Sequence, residues 1–178
     1  MTCENIFEEL NQTRHDRNSF DCGEHELNEF LWTKALRHMK VGVSRTMVLP
    51  SSDTNETGKR PICAFYTVTP SEVEREVFSE QDAKRLPKYP IPVFLIAQLA
   101  VDRQKRGEGL GKITLVKALE YLWQVNTYMR AYAVVVDCLT EKTRPFYEKY
   151  GFKSLGQFHG HERMFLPMKT VGKLFENR

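Results

Sequence analysis

The sequence has little that would staple or anchor it. Its four cysteines, Cys3, Cys22, Cys63 and Cys138, are scattered over 178 residues with no Cys-x-x-Cys pair. That spacing speaks against a zinc site and against a disulfide framework. Long apolar runs are missing too. The longest, Ile91–Val101 and Ala131–Val136, fall well short of the ~20 residues that a bilayer span needs. The first residues are polar and acidic, with no basic region leading into an apolar one, so no signal peptide is expected and the chain is read as cytoplasmic. Fixed-period repeats and low-complexity tracts are also absent. What is there is 41% hydrophobic and 28% charged, an ordinary balance for a single domain over 1–178. A chain of this length buries enough surface to fold without staples.

The net charge is only +3, but it is divided unevenly. Residues 1–100 carry 12 Lys+Arg against 15 Asp+Glu, and residues 101–178 carry 14 against 8. A normally solvated surface accounts for so modest an excess. The functional alternative is a C-terminal half that meets polyanions, whether cofactor phosphates or nucleic acid.

Hydrophobic periodicity and turn residues set out the elements. Ile6–Leu10 reads as a short strand. Asp21 and Glu24 have capping-box spacing ahead of a helix carrying Leu27, Phe30, Leu31 and Ala35. Strands are predicted at Ser44–Leu49 and Ile62–Thr69, with a polar loop over 50–59. Ser71–Arg85 is acidic and helical or irregular. Val93–Val101 is almost continuously apolar, as in a strand buried on both faces. A helix follows at Gly109–Trp123, with Ile113, Val116, Leu119 and Trp123 on one stripe and Leu115 and Leu122 beside it. Ala131–Cys138 is a second buried strand. The next helix, ending at Tyr150, tolerates Pro145 only in its first turn, which favours Thr143 as its cap. Strands at Phe152–Leu155 and Met164–Met168 close the chain. This order points to an α/β sheet with mixed strand directions.

Residues 93–123 form one unit: a buried strand, a basic glycine-rich turn and an amphipathic helix. Gly107, Gly109 and Gly111 let the backbone approach a ligand closely and take positive φ where needed. The loop amides and the positive end of the helix then converge on a point suited to a phosphate or pyrophosphate. Arg106 and Lys112 add charge, and residues 101–117 hold five basic against two acidic side chains. A dinucleotide loop is disfavoured, because no acid stands about 20 residues later, at Thr127–Met129. The P-loop lysine is missing as well. A purely structural tight turn remains the bland alternative.

The unit resembles the GCN5-related N-acetyltransferase (GNAT) family, whose signature is Arg/Gln-x-x-Gly-x-Gly/Ala after a strand ending in Leu-Ala-Val-Asp. Here Leu99-Ala100-Val101-Asp102 precedes Arg106-x-x-Gly109-x-Gly111. Gln104-x-x-Gly107-x-Gly109 also fits, and uses the same loop. Phe146-Tyr147-Glu148-Lys149-Tyr150-Gly151-Phe152 is the second match. The resemblance implies a mixed central sheet of six to seven strands, with helices on both faces and a splay between two central strands. It implies acetyl-CoA as cofactor, with its pyrophosphate on the amides of Arg106, Gly107, Glu108, Gly109, Leu110, Gly111 and Lys112. The pantetheine arm would pair with the backbone of Leu99, Ala100 and Val101. Tyr147 would be the acid that protonates the departing thiolate, its alternative being an aromatic that packs helix on sheet. No general base is evident. His159 and His161 are too few for a metal site, and none is expected.

Phe20-x-Cys22-Gly23-x-x-x-Leu27-x-x-Phe30-Leu31, Ala64–Val68 and Pro90-x-Pro92-Val93 extend the likeness to the acetyltransferase toxins of bacterial type II toxin–antitoxin pairs. That resemblance implies acetylation of the α-amine of aminoacyl-tRNA, a ribbon-helix-helix antitoxin and a homodimer. An α-amine with a pKa near 8 or below is appreciably neutral at cellular pH and needs no strong base. Arg103, Lys105, Lys142, Arg144, Lys149 and Lys153 are the candidate tRNA contacts. The modest charge, with five acids against Arg75 over 72–82, keeps two other readings open: acetylation of a small-molecule amine or of a protein or peptide, and a non-catalytic acyl-CoA-binding module.

Overall fold

A computed structural model describes Met1–Glu176. Its elements, in chain order, are strands β1 (Glu8–Glu9) and β2 (His15–Asp16), then helix α1 (His25–Glu29). A π-helical turn, Phe30–Lys34, leads into α2 (Ala35–Lys40). Strands β3 (Arg45–Pro50) and β4 (Arg60–Val73), helix α3 (Glu80–Ala83) and strand β5 (Ile91–Val101) follow. Helix α4 (Leu110–Val125), β6 (Ala133–Cys138), α5 (Arg144–Lys149), β7 (Lys153–Phe158), β8 (His161–Pro167) and α6 (Met168–Phe175) complete it. The strand order is β1-β3-β4-β5-β6-β8-β7, with β2 beside β4, so the mixed α/β sheet has eight strands.

Contacts gather into two compact units. The first holds Met1–Thr69 and Ala97–Ala118. In it β1 and β4 flank β3 antiparallel, and β2 lies parallel to β4. Helices cover both faces of β5 here. Ala100 packs with Phe30, Leu31 and Ala35, whereas Val101 packs with Leu110 of α4. The second unit holds Pro70–Ile96 and the chain from Leu119 on. There β6 runs parallel to β5 and antiparallel to β8, which also pairs with β7. The β5–β6 register covers Val93–Ile96 against Ala133–Val136. Beyond it β5 continues to Val101 and β6 to Cys138.

Several elements differ from the sequence expectation, each for a physical reason. The strand Val93–Val101 is deeply buried only in its first part; Ala97, Gln98, Leu99 and Val101 are half-buried. On α4 the buried stripe is Leu115, Ala118, Leu119 and Leu122, and Ile113 is 45% exposed, so the stripe is rotated toward the small Ala118. No capping box forms at Glu24, which caps α1 without a side-chain bond. Asp21 instead accepts from the Gly23 amide and from the Asn28 side chain, both at 2.8 Å. Thr143 does precede α5, with Pro145 in the first turn. The acidic stretch after Thr69 continues β4 to Val73 before α3 forms. Met168 opens helix α6 rather than ending a strand. Gly172 lets that helix pack close against Trp123, because a Cβ there would lie 2.6 Å from the Trp123 ring. The reading against disulfides is corrected as well. Cys3 and Cys63 are bridged across a separation of 60 residues, brought together by the short bridge between Cys3 and Ser51 at the end of β3. Spacing alone carries no trace of it.

Candidate functional site

The glycine-rich loop stands at the end of β5, and a buried carboxylate braces its base. Asp102 is 6% exposed. Its side chain accepts from the amides of Gln104 at 2.9 Å and Asp21 at 3.1 Å, and its own N–H donates to the Cys63 carbonyl at 2.8 Å. The first of these bonds caps a 3₁₀ turn over Arg103–Lys105. Next, Arg106 reaches back to donate to the Cys22 carbonyl. Gly107 and Gly109 follow with φ of +83° and +75°. An L side chain there would be strained although space is open around both. Leu110 then starts α4, whose first amides have no partner within the helix. Lys112 is exposed beside them.

Two positive-φ glycines, unpaired helix-start amides and a nearby lysine make a donor set suited to a diphosphate. Arg106 is already committed to the Cys22 carbonyl, so much of its role is to fix the loop. Glu108 faces Lys105 at 3.3 Å. Half-buried Leu99 and Val101 bracket Ala100 on the approach to the loop. Just before them, Gln98 Oε1 is buried with no hydrogen-bond partner. An unmet buried acceptor costs about 1–3 kcal/mol, and a ligand N–H would relieve it. Among the described residues, no group of three or more His, Cys, Asp or Glu could hold a metal.

Tyr147 belongs to the second unit, on α5. It is 7% exposed, its ring edge-on to Phe146 at 5.2 Å and tilted against Phe152 at 5.4 Å. Burial, then the charges of Cys138 and Asp137, push its phenol well above the usual range. It therefore stays protonated at neutral pH. Among the described residues the hydroxyl has no hydrogen-bond partner, and it is not one of the solvent-sealed unpaired atoms, which are Ser44 Oγ and Gln98 Oε1. The ring is thus packed while its hydroxyl is left without a hydrogen bond among the described residues. That combination suits a proton donor. Asp137 is held elsewhere, in a two-pronged pair with buried Arg163 at 2.7 and 2.8 Å.

Three of the six candidate tRNA contacts are ion-paired: Arg103 with Asp21, Lys105 with Glu108, and Arg144 with Glu148 and Glu162. Lys142, Lys149 and Lys153 are exposed and have no ion pair among the described residues. Lys149 lies 5.9 Å from the Tyr150 ring.

Residues 78–152, which span β5, the loop, α4, β6 and Tyr147, match the acetyltransferase (GNAT) family. A tRNA-acetylating toxin of Mycobacterium tuberculosis is 30% identical over 138 residues, 78% of this chain and 78% of that protein. The chain belongs to this acetyltransferase family. As a member it is an acetyltransferase that draws on acetyl-CoA. A probable toxin TacT of Sinorhizobium fredii is 27% identical over 177 residues, 95% of this chain and 94% of that protein. Among solved structures, a tyrosine-to-phenylalanine mutant of KacT superposes with a TM-score of 0.86 at 27% identity, covering 96% of this chain and 98% of that one. AtaT complexed with acetyl-methionyl-tRNAfMet superposes at 0.84 and 28% identity, with the same coverage.

Two residues of this acetyltransferase escaped the sequence reading. Asp102 was visible as the end of Leu-Ala-Val-Asp, but its bond to the Asp21 amide spans 81 residues. Gln98 stood out only as the single amide side chain in an apolar strand.

Proposed function

We propose that this chain is a toxin that acetylates the α-amine of aminoacyl-tRNA and so blocks translation. The observation that carries the chemistry is the Tyr147 side chain, a buried and firmly protonated phenol whose hydroxyl has no hydrogen-bond partner among the described residues. The acceptor follows from the relatives, one a tRNA-acetylating toxin and another solved with acetyl-methionyl-tRNAfMet.

Acetyl-CoA, when bound, supplies an activated acyl group as a thioester. The amides of Arg106 to Lys112 would hold its pyrophosphate, with Lys112 adding a cation, and the backbone of Leu99, Ala100 and Val101 would pair with the pantetheine arm. Gln98 Oε1 accepts an N–H of the incoming amine. A neutral amide oxygen suits that task, because a carboxylate would favour the unreactive ammonium form. As the new C–N bond replaced the C–S bond, Tyr147 would give its proton to the departing sulfur, and the proton released by the amine would restore the phenol, which burial holds in its protonated form. The whole of 1–178 acts as a single N-acetyltransferase domain in the cytoplasm, as a homodimer. Its antitoxin is a ribbon-helix-helix protein; the solved complexes of AtaT with the C-terminus of the antitoxin AtaR support a protein antitoxin of some kind. Lys142, Lys149 and Lys153 are the cations free to meet the acceptor stem.

The acceptor is tested with labelled acetyl-CoA offered to charged tRNA, uncharged tRNA, free amines and peptides. Label should appear only on charged tRNA and leave when the aminoacyl ester is hydrolysed. Label on peptides or free amines alone would exclude the toxin reading.

A further inference from the structure

The second unit carries a surface that the transfer chemistry does not use. Two segments meet there: 84–92, which leads into the start of β5, and 126–132, the loop ahead of β6. They are joined by a 2.9 Å bond from the Tyr132 amide to the Pro92 carbonyl. Beneath them the Tyr132 ring stands edge-on to Phe78 at 5.3 Å. Lys84, Arg85, Lys88 and Arg130 are all exposed, and the two segments hold no acid. Among the described residues none of these cations is ion-paired, in contrast to Arg103, Lys105 and Arg144. Between them stand bare aromatic rings. Tyr128 is 93% exposed and Tyr89 63%, although a tyrosine ring ordinarily covers its apolar body. The carboxylate that acts on this surface is Asp82, which adds to burial in pushing the Tyr132 phenol up and itself accepts from the Ser79 hydroxyl at 2.9 Å.

We infer that these two segments form a second contact for tRNA, separate from the residues of acyl transfer. The four cations hold the phosphodiester backbone while Tyr89 and Tyr128 stack on unpaired bases. Cations alone would suit any polyanion, an acidic peptide included. Exposed rings set among them select single-stranded nucleic acid, whose unstacked bases offer a π-face to each ring. The inference rests on the proposed function for its RNA partner.

The full-length protein tests it by titration against fluorescently labelled uncharged tRNA over a salt series. Replacing Lys84, Arg85, Lys88 and Arg130 together by Ala should weaken binding about tenfold and flatten the log–log salt slope by about 3. Tyr128→Ala should weaken binding severalfold, and Tyr128→Phe, which keeps the π-face, should restore it. The KM for charged tRNA should rise in step, with kcat, the KM for acetyl-CoA and the thermal midpoint unchanged. Wild-type affinity and salt slope in the four-residue variant would overturn the inference. So would a loss confined to binding of an acidic peptide, which marks a protein-docking surface. If wild-type protein binds tRNA through this surface but fails to acetylate charged tRNA, only the proposed function falls. If it acetylates charged tRNA and the variants keep its KM, only the second contact falls.

Discussion

The two units solve the problem of precision with different materials. Around the loop, placement comes from polar groups, two of them bonds across more than 80 residues, from Asp102 to the Asp21 amide and from Arg106 to the Cys22 carbonyl, and the rest local, from Asp102 to the Gln104 amide and from Asp21 to Gly23 and Asn28. Around Tyr147 it comes from rings, with Phe146 and Phe152 in edge contact and the apolar strand Ala133–Val136 fully buried. The difference follows from the task. A loop meant to present backbone amides must keep them free, so side chains have to tie down its ends. A phenol meant to stay protonated needs a low-polarity setting, so apolar packing both holds it and tunes it.

The comparison breaks first at Asp102. Asp102→Ala leaves two amides without their carboxylate and should cost about 3 kcal/mol, read from urea unfolding. It should also weaken acetyl-CoA binding. Tyr147→Phe, which removes an unbonded hydroxyl, should move the same unfolding curve by less than about 0.5 kcal/mol. Equal losses in the two variants would erase the distinction. Gly109→Ala comes next. A Cβ at φ of +75° costs about 1–2 kcal/mol, and the KM for acetyl-CoA should rise about tenfold while the KM for tRNA stays put.

A smaller effect sharpens the polar side. His15 is buried in the first unit, its Nδ1 accepting from the Asn11 amide and its Nε2 2.6 Å from Glu8. Burial, opposed by Glu8, lowers its pKa below 6.5. Burial raises Glu8, but the bond from His15 and the charges of Arg14 and Arg60 outweigh it and lower it below 4.5. The unfolded chain therefore takes up the His15 proton first. Stability should be flat above pH 6.5 on this account, decline as pH falls through that value, and fall again below 4.5 as Glu8 protonates. Urea midpoints followed over pH should show the upper step vanish in His15→Gln. The smallest change belongs to Gln98. Gln98→Leu removes an unmet acceptor, so the thermal midpoint should hold or rise slightly while kcat/KM for charged tRNA drops.

How much of this was legible in the sequence follows the same division. The loop and Tyr147 could be read because local patterns specify them: glycines where φ must be positive, and Phe-Tyr with a proline in the first helical turn. Strands β5 and β6 declared themselves by apolar runs. What could not be read was long-range. Asp21 has capping-box spacing to Glu24, and only the fold decides that it serves Gly23 and Asn28 instead. Ile113 has the right period for the buried stripe of α4, yet the close packing of Ala118 turns the helix away from it. The Cys3–Cys63 bridge depends on which strands become neighbours, which no local pattern encodes. Likewise Arg103, Lys105 and Arg144 looked free as letters and are paired in the fold.

The most direct test of the account is the single-turnover rate of acetyl transfer to aminoacyl-tRNA by Tyr147→Phe beside the wild type, each saturated with acetyl-CoA. A general acid contributes about 10²–10⁴-fold, so the rate should fall at least about 100-fold while acetyl-CoA affinity and thermal midpoint stay unchanged. A variant that transfers acetyl groups at the wild-type rate would contradict the central claim, and Tyr147 would be no more than a packed aromatic.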